Sequence, residues 1–125
     1  MIIGIGVDIV DVERIRKITR KFGDKFLEKV FTGNEIHYCK QKADRTLHLA
    51  GRFAVKEAMF KALGTGWRFG ITWRDIEVRN NTIGAPTVKL SGKALEYARQ
   101  ANADNIYVSI SHDGSFAVAS VVLET

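Results

Sequence analysis

The chain has 125 residues, 46% of them apolar and 26% charged, and its 19 Lys and Arg against 14 Asp and Glu leave a net charge of +5. That length suits one domain with one core, and the mixture excludes a disordered chain. No apolar run approaches the roughly 18 residues that a membrane-spanning helix needs. The basic surplus favours an acidic partner, whether a nucleotide, a nucleic acid or a protein. A lone cysteine, Cys39, excludes an internal disulfide and most cysteine metal sites. No basic segment precedes the first apolar run, and "DVERIRK" follows it, so a cytoplasmic location is expected.

Residues 2–10, "IIGIGVDIV", alternate Ile3, Ile5, Val7 and Ile9 with a second face and predict a strand. Asp11 is placed to cap a helix through "VERIRKITRKFG", with Val12, Ile15 and Ile18 on one side and Gly23 as its stop. A short helix is expected after Thr32 or Asn34, through "EIHYCKQ". Asp44 opens the longest helical pattern, "RTLHLAGRFAVKEAMFKAL", which ends at Gly64. "DIEVRN" and "PTVKL" predict a strand pair joined across "NTIGA". Ser91 is expected to cap "GKALEYARQANA", and "NIYVSISHDGSFAVASVVL" predicts a hairpin turning at His112-Asp113-Gly114. With one proline and no linker-like stretch, a single domain over residues 1–125 is expected. Strands and helices mix without a regular βαβ rhythm, which predicts an α+β fold: a largely antiparallel sheet packed with a long central helix and flanking helices.

Asp8 is out of place in its strand, since Asp is depleted there and an unpaired buried charge costs several kcal/mol. Strand alternation puts Gly4, Gly6 and Asp8 on one face, where two bare glycines would let a ligand approach the backbone. In "RFAVKEAMFKALGTG", Phe53, Ala54, Val55, Ala58, Met59, Phe60, Ala62 and Leu63 cover most of the helix circumference, which marks a buried helix. Glu57 and Lys61 share the one remaining notch. Exposed, such a pair is worth only about 0.2–0.5 kcal/mol; on a buried helix its desolvation calls for a further reason. Two carboxylates from separate elements, with a lysine beside them, suit Mg²⁺, which takes one or two carboxylates and completes its shell with water and substrate phosphates. Asp8 and Glu57 are therefore candidate metal ligands, with Lys61 facing a phosphate as a point charge.

The glycines of "GTGWRFG" can offer backbone N–H groups to phosphate, which makes Gly64 a candidate contact, although a helix stop accounts for it equally well. Arg14, Arg16, Lys17, Arg20 and Lys21 form a basic band close in sequence to Asp8 that would suit an acidic macromolecule. Arg45 and Arg52 are further candidates for phosphate contacts. His112 sits at the expected turn, and neither His37 nor His48 has metal-ligand spacing.

Taken together, "GIGVDIVDVERI", "RFAVKEAMFKALGTG" and "VSISHD" closely resemble the holo-acyl-carrier-protein synthases, the small bacterial type of 4′-phosphopantetheinyl transferase. The resemblance runs the length of the chain and includes "IGAPTVKLSGKA". It implies an enzyme that transfers the phosphopantetheine arm of coenzyme A to a serine of apo acyl carrier protein, releasing adenosine 3′,5′-bisphosphate and supporting fatty acid biosynthesis. It also implies Mg²⁺ on Asp8 and Glu57, with Lys61 as the third catalytic residue. Arg52, Pro86 and His112 match positions near the nucleotide, and the surface around Arg14 and Arg20 matches the one that docks the acidic carrier protein. A homotrimer with coenzyme A between neighbouring subunits is expected, with no nucleic acid or membrane partner. For the base that takes the serine proton, Glu57 or water on the metal ranks ahead of His112. A Mg²⁺-dependent nuclease is the strongest rival, but its glutamate and lysine usually lie two residues apart on a strand rather than four apart on a helix. A nucleic-acid-binding module would leave Asp8 and the Glu57-Lys61 notch unexplained.

Overall fold

Strand β1 (Ile2–Asp11) pairs antiparallel with β5 (Phe116–Glu124), which pairs antiparallel with β4 (Asn105–Asp113), giving a three-stranded sheet in the order β1-β5-β4. A separate antiparallel pair joins β2 (Ile76–Asn80) to β3 (Pro86–Leu90). The helices are α1 (Val12–Phe22), α2 (Asp24–Val30), α3 (Gly33–Lys40), α4 (Arg45–Leu63) and α5 (Gly92–Gln100). The structure, a computed structural model, describes residues 1–66 and 68–125. Trp67, within the glycine-rich stretch singled out above, lies outside them. The fold class is α+β as expected, with the strands divided between two antiparallel sheets.

Helix α4 is the axle. Asp44 caps it by accepting from the Leu47 N–H (3.2 Å), and Gly64 ends it in the left-handed conformation at φ 74°. Its residues Leu49, Ala50, Ala54, Val55, Ala58 and Met59 are fully buried, as an all-round apolar helix requires. One side lies directly on the three-stranded sheet. A Cβ on Gly4 would stand 2.2 Å from the Ala62 carbonyl oxygen, and one on Gly6 would stand 1.9 Å from that of Ala58. The bare face of β1 therefore admits the backbone of α4, not a ligand as the sequence suggested. Gly6→Ala would have to push helix and strand apart, a steric cost of at least the roughly 1–3 kcal/mol typical of overpacking. Thermal melting should show a clear fall in Tm, and an unchanged Tm would contradict this packing.

With the glycine side covered by α4, the aliphatic side of β1 faces outward: Ile5 is 62% exposed, Val7 55% and Ile9 62%, and Tyr107, across β5 on β4, is exposed as well. The inward side of β5 carries buried Ala117, Ala119, Val121 and Leu123.

Three local expectations shift. Residues Asp24–Val30 form α2, a seven-residue helix too short to show a 3.6-residue period in the sequence. Ser91 stands at the N-cap of α5, but its side chain makes no capping bond, and the helix ends at Gln100. The hairpin turns at Gly114-Ser115, because Asp113 already pairs with Phe116. Burying the alternate alanines of β5 sets that register. Glycine takes the first turn position, at φ 58°, where two-residue hairpins need a positive angle. His112 consequently lies within β4 opposite Ala117, not in the turn.

Candidate active site

Asp8 projects from β1 toward α4 with its side chain 17% exposed, and its Oδ1 accepts from Lys61 Nζ at 3.0 Å. The same ammonium donates to the Val7 carbonyl at 3.0 Å. The lysine thus pairs across to the strand carboxylate, not along its own helix to Glu57. Glu57 is half-buried, and its carboxyl is held above the usual range first by burial and then by the negative charge of Asp8, with Lys61 and Arg14 pulling it back. Two carboxylates that repel one another at the junction of a strand and a helix leave a concentration of negative charge that a cation would relieve. Among the described residues no three His, Cys, Asp or Glu side chains gather into a metal cage. This all-oxygen, two-carboxylate set fits Mg²⁺, which relies on substrate phosphates and water for the rest of its shell.

A second cluster surrounds the first half of α4. Arg52 is only 3% exposed; its guanidinium lies 4.0 Å from the centre of the Tyr38 ring and donates through Nη2 to Asn80 Oδ1 at 2.7 Å. Its buried Nε has no partner. Arg52 opens onto a cavity of about 200 Å³ that Pro86, His48 and His112 also line. Pro86, at the start of β3, is paired with Asn80 on β2. The three positions matched to the nucleotide by resemblance, Arg52, Pro86 and His112, are thus gathered from α4, β3 and β4 into one concave pocket. Gly64 stands apart from it as the cap of α4, and its N–H is spent on the Lys61 and Phe60 carbonyls. Arg45 is the first residue of α4.

The two clusters lie on different sides of the same helix. At about 100° per residue, Glu57 points about 140° away from Arg52 and Lys61 about 180° away. A ligand that met both clusters of a single chain would have to pass around a buried helix.

Two features escaped the sequence reading. Lys56, next to Glu57, is wholly buried and donates to Glu35 Oε1 (2.7 Å), to the Trp73 carbonyl (3.1 Å) and to the Ile76 carbonyl. Glu35, also wholly buried, closes the capping box of α3 with Thr32 and accepts from the Val78 N–H at 2.9 Å. Burial pushes the Lys56 ammonium below the usual lysine range while Glu35 pulls the other way. A Thr-x-x-Glu capping box was legible in the sequence, but its partner 21 residues away was not. In the basic band, Arg16 is already paired with Glu13 (3.2 Å) and Asp44 (3.6 Å), whereas Arg14 and Arg20 are exposed.

A family model described as the 4′-phosphopantetheinyl transferase superfamily matches residues 4–120. The chain belongs to this family of transferases, within its holo-[acyl-carrier-protein] synthase group. The holo-[acyl-carrier-protein] synthase of Geobacter sulfurreducens is 48% identical over 124 residues, covering 99% of this chain and 98% of that one. The synthase of Neisseria meningitidis superimposes with a TM-score of 0.92 at 33% identity, covering all of both chains. That of Bacillus anthracis, solved in complex with CoA (3′,5′-ADP), gives a TM-score of 0.82 at 42% identity and covers 100% of this chain and 98% of that one.

Proposed function

We propose that the chain, acting as one domain over residues 1–125, transfers the 4′-phosphopantetheine group of coenzyme A to a serine hydroxyl of an apo acyl carrier protein. Adenosine 3′,5′-bisphosphate is released, the reaction depends on Mg²⁺, and the product serves fatty acid biosynthesis. The observation that carries this reading is the Asp8 carboxylate held 3.0 Å from Lys61 Nζ beside a second carboxylate, Glu57, whose ionisation it opposes.

Asp8 and Glu57 would hold the metal, which when bound supplies Lewis-acid stabilisation to the transferring phosphoryl group. Lys61, exposed and on a flexible stem, is placed to turn from Asp8 to a phosphate oxygen and offset the charge that develops there. The serine oxygen attacks the β-phosphorus; the bond from that phosphorus to the bridging oxygen breaks, and the nucleotide leaves with the electron pair. Glu57, its carboxyl raised toward the working pH, is the preferred acceptor of the serine proton ahead of His112, which lies at the nucleotide pocket. Arg52, Pro86 and His112 would bind the nucleotide, and Gly64 would lie at the far edge of the phosphate site.

Exposed Arg14 and Arg20 would dock the acidic carrier protein, and Arg14 is close enough to Glu57 for its charge to be felt there. Two observations support the association of copies that a homotrimer requires. Among the described residues nothing covers the aliphatic face of β1, and the two clusters look away from each other around α4, so that neighbouring copies would complete each site. Among the described residues no helix is long and apolar enough to cross a membrane, and a cytoplasmic location suits these substrates.

The test is to incubate the protein with coenzyme A, Mg²⁺ and an apo acyl carrier protein and to weigh the carrier by mass spectrometry. One phosphopantetheine should be gained, and the gain should vanish with a chelator or in Asp8→Ala, whose circular dichroism should remain that of a folded protein. Full turnover by Asp8→Ala would remove Asp8 from the metal site, and no gain with any carrier would remove the reaction.

A further inference from the structure

The Arg52 cavity holds a group that the reading above leaves unused. His48, on α4 one turn before Arg52, stands with its ring centre 6.1 Å from that of His112 on β4 and 6.2 Å from that of Tyr38 on α3. The close approach depends on Gly51: a Cβ there would lie 3.2 Å from His112 Nε2. The walls are otherwise rich in donors. Arg52 brings a buried guanidinium whose Nε is unpartnered, and Asn80 is already occupied by its Nη2. Two imidazoles and a guanidinium around 200 Å³ of space, with no carboxylate in the lining, form a built site for an anion of phosphate size.

The groups facing His48 come from every side. His112 lies across on β4, Lys42 in the turn before the helix, and Arg52 on α4 itself, while Asp44 at the helix N-cap is the one negative charge among them. Burial first, and then the electrostatic influence of these neighbours, hold His48 below the usual histidine range, with Asp44 opposing. A half-buried imidazole set among positive charges is placed to accept a proton once a counterion arrives. When a phosphate enters the cavity, the balance at His48 reverses and protonation becomes favourable.

We propose that His48 is a nucleotide-binding residue that takes up a proton as a phosphate of the donor nucleotide enters the Arg52 cavity, forming with His112 and Arg52 a three-donor anion clamp. The proposal rests on the nucleotide occupying this pocket, and it makes donor affinity fall as pH rises through the histidine range.

Calorimetry of adenosine 3′,5′-bisphosphate binding in two buffers of different ionisation enthalpy measures the protons exchanged. Wild type should take up close to one more proton per nucleotide than His48→Phe, which keeps a ring against Tyr38 but cannot be protonated. Its affinity should also weaken more steeply with pH than that of His48→Phe. The histidine ring signals of the wild-type protein, followed by NMR against pH with and without the nucleotide, provide a measurement that needs no variant: His48 should titrate higher in the complex. Equal proton uptake in wild type and His48→Phe, or an unmoved His48 titration, overturns the role of His48. Arg52→Ala separates that failure from failure of the pocket itself. If nucleotide binding is unchanged in Arg52→Ala, the nucleotide binds elsewhere, and both the pocket assignment and the clamp fall.

Discussion

Glu57→Gln is expected to abolish metal-dependent transfer while making the protein more resistant to heat. The first half follows from the loss of one of the two carboxylates proposed to hold the cation: several kcal/mol of transition-state stabilisation would disappear, about 10²-fold or more in rate. The second half follows from the direction in which the Glu57 carboxyl is displaced. Its folded-state pKa is raised by burial and by Asp8. The folded protein therefore holds this proton more tightly than the unfolded chain does. Its stabilising contribution is present below the ordinary carboxylate pKa and lost as the pH rises through the raised value, so that at neutral pH the ionised group weighs against folding. Glutamine has the same shape without the charge. In the presence of a chelator the variant should melt above wild type at about pH 8, and the gap should close toward about pH 4, where both side chains are neutral. A variant that melts below wild type at both pH values would mean that the Asp8-Glu57 pair is not a strained one.

The second large effect is expected far from the chemistry. Glu35→Ala should destabilise the protein by about 3–5 kcal/mol, the usual cost of leaving one partner of a buried ion pair alone. Lys56 would keep only the Trp73 and Ile76 carbonyls, the Val78 N–H would lose its acceptor, and α3 would lose half of its capping box. For a chain of this length that amounts to a fall in Tm on the order of 10 °C or more. The double variant Glu35→Leu/Lys56→Met should recover the part of the loss that comes from the stranded Lys56 charge, since apolar replacement of a buried pair is often neutral or better, while the Val78 N–H and the α3 cap stay without Glu35. Denaturant unfolding of Glu35→Leu, Lys56→Met and the double gives the coupling energy. Additive losses would show that the two side chains do not act as a pair. Because the pair ties α3 and β2 to the helix that carries Glu57 and Arg52, its variants also test how far the site depends on this internal brace.

Much of this arrangement was legible in the residues themselves. The apolar circumference of α4 announced a buried axle, and the Asp44 cap and Gly64 stop lie where the sequence puts them. Asp8 and the Glu57-Lys61 notch stood out because charges in such settings need a reason. The glycines of β1 were misleading in an instructive way. A bare strand face looks the same in sequence whether a ligand or a helix backbone will lie on it, and only the 1.9 Å approach that a Gly6 side chain would make to Ala58 decides for the helix. The missing α2 shows the limit of periodicity in seven residues. The pairing of Lys61 with Asp8 and that of Lys56 with Glu35 join residues tens of positions apart, and no local pattern carries such information. Of the pocket around Arg52 the sequence offered only the arginine itself as a phosphate contact, and the resemblance added Pro86 and His112: Tyr38, His48, Asn80 and His112 come from four elements, and His112 looked like a turn residue until the strand register moved the turn beyond it.

Arg52 and Lys61 stand back to back on α4, and this bears on inheritance as much as on catalysis. Where neighbouring copies complete each other's sites, one subunit lends Lys61 to one reaction centre and Arg52 to another. A copy defective at either residue spoils one centre and leaves the other whole, whereas a copy misfolded around α4 spoils two. Two different defects, one on each side of the helix, would be recessive to each other in a mixed assembly. In such a ring, the opposed faces of a single helix would turn an enzyme's genetics into that of half-sites.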